Sequence, residues 1–193
     1  MARAPVDSIT IASGYLDPRR NPGAPGYPSH GVGPHYGVDL VGSESTLVKA
    51  PEKMDILFAH VLEDPDVANN TAFPVPFGGF RAPFDGYGPG VILGFGVSGR
   101  YHLLAHLGRI AGDAGVSVDE GQTIAAMSSH VGGSGSHTHW EVRAGAIDTP
   151  ATRARDTVDP MVWIRNPGAP VASRSSSSIL LWLLVLYAVS RRR

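Results

Sequence analysis

The chain carries 24 glycines and 16 prolines in 193 residues, and this punctuation limits its fold more than any other feature. Proline removes a backbone donor and glycine costs a helix interior about 1 kcal/mol relative to alanine, so long helices are excluded over most of the sequence. Between the breakers lie apolar runs of strand length: "SITIASGY", "YGVDLVG", "STLVKAP", "MDILFAHVLE", "GVILGFG", "RYHLLAHLGRI", "QTIAAMS" and "HTHWEVRAG". Runs of this kind bounded by Gly, Pro and Asp predict a mainly β domain. The hydrophobic fraction of 42% supports one core. Sixteen Lys and Arg against 17 Asp and Glu leave no basic footprint, so nucleic acid is not an expected partner. With no cysteine, disulfides and thiolate chemistry are excluded, and any metal must be held by His, Asp or Glu.

The composition divides the chain. Residues 1–167 read as the folded domain, with no apolar stretch at the N-terminus that resembles a signal peptide. Within it, residues 64–90 ("DPDVANNTAFPVPFGGFRAPFDGYGPG") are too rich in Pro and Gly to continue a sheet and read as a loop insertion. Residues 168–178 read as a flexible linker. The uncharged segment 179–190, with its Leu-rich run from Ile179 to Val189, reads as a short membrane anchor, closed by the basic tail 191–193. A basic C-terminus favours the cytoplasmic side, which would put the domain outside and leaves its route across the membrane open. Two settings would resolve this: a phage virion that carries a lipid membrane, or a tail-anchored envelope protein released or inserted late.

The histidines carry the chemistry. His35 and Asp39 sit among glycines and a proline, which argues for an extended segment in which alternate residues share a face. His35, Gly37 and Asp39 then point one way, and in "SHTHWEV" so do His137, His139 and Glu141, with Thr138, Trp140 and Val142 opposite. The same alternation in "RYHLLAHL" puts His102 and His106 together. Imidazole and carboxylate suit zinc, and a catalytic site uses three protein ligands with one position kept for water; His35, Asp39 and His139 would supply them. "GGSGSH" lacks the Lys-Ser/Thr ending of a phosphate-binding loop and reads as a tight turn before the histidine strand. His30, His60, His102 and His130 read as surface or packing residues.

"HYGVDL", "LVKAP", "GPGVILGFGVSGRYHLLAHLGRI", "GSGSHTHWEVRAG" and "VDPMVWI", in this order, resemble the lysostaphin-type (LytM-like) zinc endopeptidases. The resemblance implies a compact antiparallel β-sheet or sandwich of the duplicated hybrid motif kind, with a metal-bearing groove. It places one Zn2+ on His35, Asp39 and His139 and gives catalysis to His106 and His137, leaving Glu141 a groove-side carboxylate rather than a base. The chain departs from the family in having Ser136 and Thr138 around His137, where proline and leucine are common, and in its insertion. The implied activity is hydrolysis of peptide bonds in bacterial peptidoglycan. The rival is a non-catalytic envelope or virion protein that uses the same fold to bind cell wall or a partner protein.

Overall fold

The computed structural model describes residues 2–15, 35–61, 90–128, 135–144 and 156–167. Eleven strands and one short helix are found there: β1 (Ile11–Ser13), β2 (Val38–Val41), β3 (Leu47–Lys49), β4 (Met54–Val61), β5 (Gly90–Gly96), β6 (Tyr101–Ala105), β7 (Leu107–Ile110), β8 (Ser117–Val118), β9 (Thr123–Met127), β10 (His137–Arg143), β11 (Thr157–Val158) and α1 (Pro160–Arg165). All the described pairings are antiparallel. The large sheet runs β1-β2-β10-β6-β5-β4-β8, with β11 also on β10, and a smaller sheet runs β3-β9-β7. The mainly β expectation holds. Of the insertion at 64–90 only Gly90, which opens β5, is among the described residues; the linker and the apolar segment 179–190 lie outside them, and within them no helix is long and apolar enough to cross a membrane.

Residues paired directly across an antiparallel ladder share a face, so the register sorts the large sheet into two sides. One row, Val38–Trp140–Leu104–Ile92, crosses four strands on the core side. All four are buried and belong to one apolar cluster with Val48 and Ile124 of the small sheet and Trp163 of α1. The next row, Asp39–His139–Ala105–Val91, lies on the opposite face. Trp140 is fully buried, and truncating a buried aromatic of that size costs about 3–5 kcal/mol. The core face therefore fixes which way β10 faces, and with it the direction of His137 and His139.

Two features go beyond the strand-by-strand reading. The run "RYHLLAHLGRI" is two strands, because the chain leaves the large sheet at His106 and enters the small one as β7. "VDPMVWIR" forms a helix whose first turn is set by Asp159, which accepts from the Met161 amide at 2.8 Å, and by Pro160 at the first helical position. This helix delivers Trp163 edge-on to Trp140.

Candidate metal centre and active site

β10 is the spine of the site. Its seven residues are all buried, and alternation sends His137, His139, Glu141 and Arg143 to the groove face. β2 brings Asp39 directly opposite His139, and His35 reaches the same point from just before that strand. Gly37 makes the approach of His139 possible: a Cβ there would lie 2.8 Å from two atoms of its ring.

Three ligand atoms converge. His35 Nε2 lies 3.1 Å from Asp39 Oδ1 and 2.9 Å from His139 Nδ1, and His139 Nδ1 lies 2.8 Å from Asp39 Oδ1. The ring nitrogens turned away from the cluster fix the tautomers. His35 Nδ1 donates to the Gly14 carbonyl at 2.9 Å, which makes Nε2 the basic nitrogen of a neutral ring. His139 Nε2 donates to Glu141 Oε1 at 2.9 Å, which leaves Nδ1 as the basic nitrogen. Two imidazole lone pairs and a carboxylate oxygen thus face one another in a buried space, an arrangement that calls for a cation. A triangle of this size is compatible with one ion bonded to all three at zinc's usual distances of about 2.0–2.2 Å, and it is the one group of metal-binding character among the described residues.

The electrostatics agree. Burial opposes charge on Asp39, but hydrogen bonds from His139 and His35 outweigh it and hold the carboxyl far below the usual range. Burial also opposes charge on His139, and there Asp39 and Glu141 prevail and raise its pKa. Positive charge is favoured between the carboxylates.

His106 and His137 stand beside this cluster. Their rings are 4.5 Å apart, and His106 is 6.2 Å from the His139 ring. His137 Nδ1 donates to the Gly135 carbonyl at 3.0 Å, and Gly135 has the left-handed φ of 75° expected of the turn in "GGSGSH". His106 also has positive φ, at 63°, unusual for a residue with a side chain. Two bonds hold that conformation: Thr138 Oγ1 donates to Ala105 O at 3.0 Å, and Ser128 N donates to His106 O at 3.0 Å.

That backbone turn overturns one sequence expectation. Strict alternation puts His102 and His106 on the same face, yet His102 pairs with Val142 on the core side and packs edge-on to Trp163, 4.7 Å between rings. Alternation would aim His106 there too; its positive φ redirects it to the groove. His102 is a packing residue, as expected, but a polar one. Its Nε2 donates to Glu52 Oε1 at 2.8 Å and its Nδ1 accepts from Trp140 Nε1 at 3.3 Å. Glu52, missed in the sequence, also accepts from the Ser98 amide and hydroxyl. Glu141 is on the groove face but not open to the groove: it is 1% exposed, with its second oxygen accepting from Arg143 Nη2. His30, His130 and the His60 side chain lie outside the described residues.

No curated protein matches the sequence. Solved structures do match the fold: the catalytic domain of lysostaphin from Staphylococcus simulans, at 20% identity and a TM-score of 0.55 over 82% of this chain and 93% of that one; LytU, at 20% and 0.55 over 83% and 88%; and the SpoIIQ–SpoIIIAH pore-forming complex, at 14% and 0.56 over 92% and 94%. The model of peptidase family M23 matches residues 33–160, a span that begins just before His35 and ends just after the last strand. On that match, covering most of the domain and all five groove residues, the chain belongs to peptidase family M23.

Proposed function

We propose that the chain is a zinc-dependent endopeptidase that hydrolyses peptide bonds in bacterial peptidoglycan. The observation that carries this is the convergence of His35, Asp39 and His139 beside the His106–His137 pair. Two imidazoles and one carboxylate, without thiolate, are the donor set of a catalytic rather than a structural zinc site. A zinc ion held there would lower the pKa of water toward 7 and polarise the scissile carbonyl. His137, whose Nδ1–H is committed to Gly135 O, presents Nε2 as the base that takes the proton from the attacking water. His106, across a 4.5 Å ring separation, donates a hydrogen bond to the developing oxyanion, and the proton that His137 takes up passes to the leaving amine. Family membership and the lysostaphin-like fold support the substrate class.

The test is zinc content together with turnover of purified cell walls. Wild-type protein should carry one zinc per chain and release new amino groups, and His137→Ala should keep the metal while turnover falls by about 10²–10⁴. Full activity in that variant would overturn the assignment. A second reading, a wall- or partner-binding envelope protein, is favoured by the likeness to a structure of a pore-forming complex; metal at one per chain with no turnover on any wall would support it. In either case the proposal places the domain at 1–167 and makes 179–190 a membrane anchor in a bacterial envelope or a phage membrane. Deleting residues 168–193 should then release the chain from membranes into the soluble fraction.

A further inference from the structure

We propose that Glu141 and Arg143 are positioning residues that select Nδ1 of His139 as its metal-binding nitrogen, an inference that rests on the zinc reading above. Alternate residues of β10 put His139, Glu141 and Arg143 in a line on one face. Glu141 Oε1 accepts from His139 Nε2 at 2.9 Å, and Glu141 Oε2 accepts from Arg143 Nη2. The carboxylate thus grips the side of the ring opposite His35 and Asp39 and acts through His139. It is not placed to serve as a base: one oxygen is on the far nitrogen of the ring and the other is on the guanidinium.

Stability alone does not account for this pair. Glu141 and Arg143 are each 1% exposed, and well-packed apolar side chains often replace such a buried ion pair at no loss. Arg143 Nε is moreover buried without a hydrogen-bond partner among the described residues, an arrangement that costs stability. Orientation of a ligand does account for it. A histidine ligand whose second nitrogen donates to a carboxylate is fixed in ring direction and tautomer and made more basic. Arg143 holds the carboxylate in turn, so the line Arg143–Glu141–His139 ends at the nitrogen that faces Asp39.

The experiment measures zinc affinity by competition with a chromophoric chelator and the visible spectrum of the Co2+-loaded protein, with folding followed by circular dichroism. Glu141→Gln, which keeps the shape and an acceptor, should bind zinc about tenfold more weakly, and Glu141→Ala about a hundredfold, with altered Co2+ bands. Because the single alanine change leaves Arg143 buried without its partner, Glu141→Ala/Arg143→Met removes both charges, folds, and should show the same weakening. A folded variant with zinc affinity within twofold of wild type and an unchanged Co2+ spectrum would overturn the relay while leaving the zinc reading intact. Wild-type protein that binds no zinc would overturn that reading, and the relay with it.

Discussion

His102 and His139 are both buried to within a few per cent, both hydrogen-bonded through each ring nitrogen, and on opposite faces of one sheet. Their partners differ. His102 lies between an acceptor, Glu52, and a donor, the Trp140 indole, so a neutral ring with its proton on Nε2 satisfies both. Protonation would set Nδ1–H against the indole N–H, and burial accordingly pulls its pKa down. His139 lies between two carboxylates, Asp39 and Glu141, and a neutral ring has one proton for two acceptors. A closed polar cluster supports a fold; one that lacks a positive charge supports ligation. Burial, by itself, distinguishes neither.

The sharpest way to break this contrast is to add metal. At a free zinc concentration a thousand times Kd, binding should raise wild-type stability by about 4 kcal/mol. His102→Ala should keep the whole increment and His139→Ala should lose it, as read from urea midpoints with and without zinc. An equal increment in all three would show that the site lies elsewhere. The core-face effect is next in size: His102→Ala without metal leaves a cavity and strands Glu52 and the Trp140 N–H, and should cost about 3 kcal/mol.

Acid separates the two histidines by sign. The His102 pKa is lowered in the fold, so the unfolded chain takes up its proton first, near 6.5, and stability falls as pH drops below that value. Glu52 adds to the loss at lower pH. Burial raises its pKa, bonds from His102 and Ser98 more than reverse this, and its contribution, complete above 4.5, goes as pH falls through the folded value. His139 without metal runs the other way. Its pKa is raised above 6.5, so its contribution is complete below 6.5 and is lost as pH rises through the folded value. In metal-free protein, His102→Gln should therefore separate from wild type below about pH 6.5, losing less stability than wild type as the pH falls. A His102→Gln profile that parallels wild type would remove His102 from the account.

Much of this was legible before the fold. Two-residue alternation in "HYGVD" and "HTHWEV" placed Asp39, His137 and His139 on one face and Trp140 on the other, because a strand with one apolar face has only one register that buries it. The helix at 160–165 has a local signature too, in Asp159 and Pro160. Other features have no local signature. Glu52 and His102 are 50 positions apart, and nothing in either neighbourhood marks the pair. Glu141 could be assigned a face but not a role, since the role depends on which nitrogen of His139 points at it. His106 misled for a further reason: the residue that breaks alternation there is a histidine, not a glycine, and its positive φ is imposed by the tertiary structure.

That imposition gives the smallest prediction and the one most particular to this chain. The β6–β10 ladder ends at Ala105 and His139, one pair short of His106 opposite Thr138, because the left-handed turn carries His106 out of the sheet. Thr138 fills the gap with its hydroxyl, bonded to Ala105 O on the buried side. A leucine at this position would have no donor to offer. Thr138→Val keeps the shape and removes that bond, which should cost about 1 kcal/mol and let His106 drift from His137. If the groove works as proposed, kcat should fall roughly tenfold with zinc affinity and KM nearly unchanged, and Thr138→Ser should restore it. Full activity in the valine variant with a loss in the serine variant would mean that packing by the threonine methyl, rather than its hydroxyl, holds His106 in place.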